Sequence, residues 1–399
     1  MIWSWEYIPP YRDICVLAFS PYLSALENYV LFIPENQCRP QPKQHGELKM
    51  SATKKFRIAL TADLYGERGE LKCENMGLAV LDAHPHIEYD RFAEHRPQIG
   101  VDQLRGFQGA LVWAPAVTAE TVSQAGDLLG ISRIGVGFDK VDVAACTAAD
   151  VAVFTTQGAV DRSLAEATIT WMLALSHQVM VKDRLLRNNE PFDQFKWRGK
   201  ELRDRTFGSI GLGGIAGEAI RLLSIFGMRR PLAFDPYVDP ARARELGVEL
   251  VELDELMRRA DFVSVHCPLN DQTRGLIGRR ELELMKPDAY LINTARGGIV
   301  DEEALYEILK KGEIAGAGID VFIGEPLSEP PRLAELDNVL LAPHAIGVTD
   351  ELMRDIGGAA CQALVDLSQG RLPAKGLLNP EVLERPGFQQ KWQRLGADT

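Results

Sequence analysis

The sequence predicts an α/β protein built on two doubly wound parallel sheets, and three observations carry that expectation. From residue 56 onward, short β-branched apolar runs alternate with helical patterns, as parallel strands covered by helices do. The chain has 399 residues, enough for two or three domains with large cores. A glycine-rich turn between a strand and a helix lies midway along it, at Gly211 to Ala216. Composition agrees: 46% hydrophobic and 25% charged residues exclude collagen-like, coiled-coil and disordered chains. With 44 Lys and Arg against 56 Asp and Glu, the net charge of −12 disfavours a general affinity for nucleic acid or anionic membranes.

Residues 1–49 are rich in Pro, Tyr and Trp and hold no sustained period of 2 or 3.6, so residues 1–55 are expected to be an N-terminal extension, disordered or not native. The functional chain is expected to begin at Met50. Phe56–Thr61 reads as the first buried strand, followed by Gly109–Trp113 and Val151–Thr155 in a first domain over 56–157. Ser163–Arg187 reads as one continuous helix. A second domain over 158–345 takes strands at Ser209–Leu212, Pro231–Asp235, Phe262–His266, Ala289–Asn293, Ala317–Phe322 and Val339–Pro343. A helix over Thr349–Gln369, with Thr349 as N-cap and Gly370 as stop, is expected to return to the first domain within residues 346–385. The chain would then cross twice and leave a ligand cleft between domains. Residues 386–399 read as a tail.

Six scattered cysteines without a C-x-x-C pair fit reduced thiols in a cytosol. The uncharged run Ile14–Leu26 is too short to span a bilayer, and the start Met-Ile-Trp-Ser-Trp-Glu lacks the basic residues of an export signal. A cytoplasmic location is expected. His266-Cys267 and His84-Pro-His86 offer too few ligands for zinc, so no metal is expected.

The chemistry begins at the glycine turn. Gly211 permits a tight turn, Gly213 lets the backbone approach a pyrophosphate at the helix N-terminus, and Ala216 replaces the third glycine of a dinucleotide fingerprint. Asp235 ends the next strand 24 positions after Gly211, where its carboxylate can accept both adenine-ribose hydroxyls and repel a 2′-phosphate. The alternative is that Asp235 only caps the Pro236-Tyr237 turn. Three more strand ends carry Arg296, Asp320 with Glu325, and His344. Alone, Arg296 or Glu325 reads as a solvated loop group and His344 as a satisfied structural group. Together, at the carboxyl ends of parallel strands, they can converge on one crevice. Hydride transfer from a nicotinamide to a carbonyl needs a proton donor at the carbonyl oxygen, which His344 can be. Glu325, 19 positions earlier, would favour the imidazolium, and Arg296 offers a planar fork for a carboxylate.

These segments, with Ala260–Thr273 and, more loosely, Ile134–Asp142 and Leu164–Glu166, resemble the D-isomer-specific 2-hydroxyacid dehydrogenases, the phosphoglycerate dehydrogenase-like family, over most of residues 56–370. The resemblance implies a Rossmann-type NAD domain inserted in a flavodoxin-like substrate domain. It implies Arg296 on substrate carboxylate and carbonyl, Glu325 as partner of His344, and His344 as the acid/base. The Gly135-Val136-Gly137 loop would hold the carboxylate through backbone amides. Gly211, Gly213, Gly214, Ile215, Asp235, Pro268, Thr273, Thr294, Ala295 and Asp320 would contact NAD, Asp320 at the carboxamide.

Phe154-Thr-Thr-Gln-Gly departs from the family's Asn before Thr-Pro-Gly, at the hinge and substrate pocket. Little chain follows the last helix, so the regulatory domain of some phosphoglycerate dehydrogenases, and feedback by serine, are not expected. Two other uses of the scaffold are weighed: a dinucleotide sensor like the C-terminal-binding-protein co-repressors, and formate or phosphite oxidation. Formate is disfavoured by Glu325, where the family's formate enzymes carry Gln. The helix over Ser163–Arg187 resembles the family's dimer-forming segment, so a homodimer is expected, with a small 2-hydroxy or 2-oxo acid as substrate.

Overall fold

Away from the sheet edges, strand-forming runs are apolar at nearly every position because helices cover both faces of each sheet. The computed structural model describes residues 55–373 and 375–396; the extension expected over 1–55, including the start expected at Met50, lies outside them but for residue 55. In the first sheet, β1 (Phe56–Leu60), β2 (Ile87–Arg91), β3 (Gly109–Val112), β4 (Gly130–Arg133) and β5 (Ala152–Thr155) lie in the order β2-β1-β3-β4-β5. The second sheet contains β6 (Phe207–Ile210), β7 (Leu232–Phe234), β8 (Glu249–Leu250), β9 (Phe262–Val265), β10 (Tyr290–Asn293), β11 (Gly316–Ile319) and β12 (Val339–Leu341). Its order is β12-β11-β10-β9-β6-β7-β8. All pairings in both sheets are parallel. The first order is flavodoxin-like and the second extends the Rossmann order, with its reversal between β6 and β9.

The helix Asp350–Ser368 begins as expected: the Thr349 side chain accepts the Leu352 amide at 3.0 Å. It returns to the first sheet, where Met353, Ile356, Leu364 and Leu367 join Phe56, Ile58, Leu60, Leu111 and Phe154 in one core. In the second sheet, Trp171 and Met172 of the helix Asp161–Ser176 pack with Ala216 and Ala219 of the helix Gly214–Leu223 over Phe262, Tyr290 and Ile292. The indole of Trp171 lies so close to β11 that a Cβ on Gly318 would come within 2.1 Å of it.

Two expectations need correction. Ser163–Arg187 is not one helix: it divides into Asp161–Ser176 and Val179–Arg187, with Gln178 at φ 53°. The Lys200 amide donates to the Ser176 carbonyl at 2.8 Å, and a Cβ on Gly199 would lie 2.8 Å from the same oxygen. The returning chain thus occupies the carbonyl end of the first helix and forces the turn. Residues 386–396 of the expected tail pack on the core of the first sheet. They form the helix Pro386–Gly396, with Phe388 fully buried and the Lys391 ammonium donating to the carbonyls of Leu128, Ala149 and Asp150. Phe388 and Trp392, four positions apart, share one face of this helix, a spacing that was legible in the sequence.

Candidate active site

The carboxyl ends of β4, β5, β9, β10, β11 and β12 open on one cleft of about 460 Å³ between the two sheets. Gly135, Val136, Gly137, Gly214, Ile215, Pro268, Thr294, Ala295, Arg296, Asp320 and His344 line it, so most of the expected residues are brought together. Gly211, Gly213 and Asp235 adjoin it along the glycine loop, and Glu325 stands behind His344. Thr273 does not line the cleft. Its hydroxyl donates to Pro268 O at 2.6 Å and accepts the Asn270 amide at 2.8 Å, so it shapes the turn that carries Pro268.

His344 Nδ1 lies 2.7 Å from Glu325 Oε2, and Glu325 Oε1 accepts the Phe322 amide at 2.5 Å. Burial pushes the Glu325 carboxyl up, but its bond to His344, the Phe322 amide and the charge of Arg296 outweigh that and hold it below the ordinary range. A carboxylate on Nδ1 leaves Nε2 as the nitrogen free to exchange a proton. His344 itself is in the left-handed region, φ 56°, and its backbone is pinned: its amide donates to Asp320 O at 2.7 Å. Asp320 Oδ1 accepts the amides of Ala345 and Ile346 at 2.8 and 3.1 Å. Burial raises the Asp320 carboxyl, with those amides opposing. Glu302, which follows the Arg296 loop, accepts the Ile323 amide at 2.8 Å and steadies the turn that bears Glu325.

Arg296 bridges the sheets. Its Nε donates to Asp139 at 2.9 Å, and its guanidinium rests on Gly137, where a Cβ would lie 1.3 Å from Nη2. Burial pushes Asp139 up, yet the Arg296 charge and hydrogen bond keep it below the carboxylate range. Gly135 has φ 114° and a second guanidinium, Arg133, against it. Thr156 supports this loop: its hydroxyl accepts the Gly135 amide at 3.0 Å, and its amide donates to Gly135 O at 3.1 Å. The unusual Thr-Thr-Gln segment therefore holds the loop instead of disrupting it. Arg133, Asp139, Thr156 and Glu302 were not assigned from sequence; the usable signal was that the first three flank the glycine loop in sequence or in the adjoining strand end.

The residues present fit a dinucleotide. Gly211 has φ 94°, and a Cβ there would come within 2.9 Å of the Cys267 amide nitrogen. A Cβ on Gly213 would meet no atom within 4 Å, leaving open space at the helix N-terminus for a pyrophosphate. Asp235 caps the turn, the second of the two roles expected for it, and also holds the glycine loop. Oδ1 caps the turn through the Tyr237 and Val238 amides at 2.9 and 3.1 Å, while Oδ2 accepts Leu212 N of the glycine loop at 2.8 Å. One charge opposes an anion there: the Asp161 carboxylate lies 2.1 Å from the Cβ position of Gly214. Burial raises the Asp161 carboxyl, with Lys375 opposing.

His266 is a structural group. Burial pushes it down to about 4, and its Nε2 lies 2.8 Å from Ser264 Oγ. Among the described residues, no three His, Cys, Asp or Glu side chains gather as a metal site. Nor is any described helix long and apolar enough to cross a membrane.

Fold and cleft together define a two-sheet dinucleotide-binding protein with a hydrogen-bonded histidine–glutamate pair at its strand ends. Residues 169–345 match the model of the D-isomer specific 2-hydroxyacid dehydrogenase NAD binding domain. A glyoxylate reductase of Korarchaeum cryptofilum is 33% identical over 328 residues, 78% of this chain and 96% of that one. A D-3-phosphoglycerate dehydrogenase of Archaeoglobus fulgidus is 37% identical over 273 residues, 68% of this chain and 51% of that one. This chain spans about half the length of such curated phosphoglycerate dehydrogenases. A crystal structure from Pyrococcus horikoshii superposes with a TM-score of 0.69 at 26% identity, covering 84% of this chain and 98% of that one. The chain belongs to the D-isomer specific 2-hydroxyacid dehydrogenase family and carries its NAD binding domain.

Proposed function

We propose that this chain interconverts a small D-2-hydroxy acid and its 2-oxo acid with NAD(H), using His344 as acid/base. The observation that carries the reading is the 2.7 Å contact between His344 Nδ1 and Glu325 Oε2 in the same cleft as Arg296. When bound, NADH supplies the hydride for the carbonyl carbon. The substrate carboxylate is held by the Gly135 to Gly137 amides and by Arg296, whose fork also polarises the carbonyl oxygen. His344 delivers the proton from Nε2 to that oxygen, and Glu325 stabilises the imidazolium until transfer. In the reverse direction, neutral His344 takes the hydroxyl proton.

Asp235 receives the adenine-ribose hydroxyls and selects NAD over NADP, and Asp320 orders the loop that carries His344. Hinges near residues 157 and 345, the ends of the inserted domain, let the cleft close and exclude water. A cytoplasmic homodimer completes the reading. It is supported by apolar side chains left exposed beside the broken helix, Met180 at 55%, Phe192 at 55% and Phe195 at 72%.

Loss of NADH absorbance on adding glyoxylate, hydroxypyruvate or bulkier 2-oxo acids tests the reaction, and a cofactor-binding sensor would give none. His344→Ala should lower turnover by ~10²-fold or more. Near-normal turnover in that variant rejects the assignment.

A further inference from the structure

We propose that Tyr237 and Gln272 form a latch across the adenine end of the dinucleotide groove, and that NAD(H) enters only when their hydrogen bond breaks. The inference rests on the reading above that NAD(H) binds with Asp235 on the adenine ribose, and it adds a contact that controls access to that end.

The sheet order sets the geometry. β6 lies between β7 and β9, so the glycine turn at its carboxyl end is flanked by two loops. The loop after β7 carries Asp235 and Tyr237; the loop after β9 carries Pro268 and Gln272. Strands on the two sides of a third stand about 10 Å apart. Tyr237 Oη donates to Gln272 Oε1 at 2.5 Å, so a side-chain bridge joins the two loops across the end of β6. A planar base in van der Waals contact on both faces takes up about 7 to 8 Å. The gap therefore holds the bridge or a base, and the two exclude each other. The open cleft agrees: its lining reaches Gly214, Ile215, Pro268 and Leu269 and stops short of Asp235, Tyr237 and Gln272.

The loops are fixed, whereas the two side chains are free to swing. Asp235 Oδ1 accepts the Tyr237 amide at 2.9 Å, and Asn270 Oδ1 accepts the Gln272 and Thr273 amides at 2.9 and 3.0 Å. Tyr237 is nonetheless 78% exposed and Gln272 is exposed as well, so little packing holds either side chain beyond this bond. Opening breaks one neutral hydrogen bond and needs no backbone movement. Exposed side chains turn within nanoseconds, so the latch lowers the fraction of molecules ready to bind and adds no slow step.

Binding of NADH to the full-length protein is followed by stopped-flow fluorescence. Tyr237→Phe keeps the ring and removes the bond; Gln272→Ala removes the acceptor. Each should raise the association rate constant about 3- to 10-fold and tighten Kd by the same factor, with dissociation within about twofold of the parent. The double variant should gain no more than either single one, because both remove the same bond. Calorimetry with ADP-ribose should show the same tightening. Reduced nicotinamide mononucleotide, which lacks the adenosine half, should bind parent and variants alike. An unchanged association rate in either variant overturns the latch, and so do additive gains. Faster dissociation with a weaker Kd also overturns it, since the pair would then grip bound cofactor. Failure of the dinucleotide reading shows separately: ADP-ribose then binds neither parent nor variants, and the latch falls with it. Both side chains are exposed, so the variants should melt with the parent.

Discussion

Gly137→Ala tests the Arg296 clamp without disturbing the fold. Gly137 does not have positive φ, so its backbone accepts alanine. The added methyl would lie 1.3 Å from Arg296 Nη2, 2.5 Å from Cζ and 3.2 Å from Nε. Non-bonded atoms settle near 3.5 to 4.0 Å, so the guanidinium must retreat by about 2 Å. It is the far end of a flexible side chain at the rim of a cleft, and its retreat costs little stability. Its bond to Asp139 at 2.9 Å and its aim at the substrate carboxylate do not survive such a shift. Misplacing a positioning group by ~1 Å can cost ~10²-fold, so kcat/KM for the 2-oxo acid should fall by at least ~10²-fold, or ~2.7 kcal/mol. NADH binding by fluorescence and the melting temperature should stay near the parent values. A variant whose kcat/KM stays within about threefold of the parent would refute the clamp geometry.

Further predictions concern charge. Glu325→Gln removes the ionised partner of His344; charge-assisted bonds are worth ~1.5–3 kcal/mol, so turnover should fall ~10- to 10²-fold in steady-state assays. Because the Glu325 carboxyl is held below its ordinary range, its stabilising contribution is complete above that range and lost as pH falls through the native value. Acid melting curves of the parent should therefore drop more steeply than those of Glu325→Gln. Asp235→Asn should reduce the kcat/KM preference for NADH over NADPH by about tenfold and cost ~1 kcal/mol through the Leu212 amide. Asp161→Asn should tighten NADH ~3- to 10-fold by removing a negative charge from Gly214, an effect the parent should approach as falling pH neutralises its raised carboxyl. Titrations of NADH fluorescence across pH measure both.

The strand ends were legible because each residue type states its chemistry and each apolar run states where it stops. Arg296, Asp320 and His344 could be placed at the carboxyl ends of β10, β11 and β12 from the letters, and Thr349 and Gly370 marked the last long helix. The break at Gln178 was not legible, since it is imposed by Gly199 and Lys200 folding back from more than twenty positions away. The turn bonds of Thr273, to Pro268 O and from the Asn270 amide, were not legible, because a hydroxyl satisfies its neighbours as readily as a ligand. Asp139 and Thr156 went unassigned because their partners are separated in sequence, Asp139 from Arg296 by 157 positions and Thr156 from Gly135 by 21.

By itself the sequence determined the two parallel sheets, the glycine turn and the inventory of one imidazole, one acid and one guanidinium, since period and side-chain chemistry are local properties. The tertiary structure alone decided how charges share space: that Arg296 leans on Gly137, that Arg133 stands beside it, and that Asp161 lies against Gly214. Such relations depend on which strand ends meet across the cleft, and distance between charges exists only after the chain has folded.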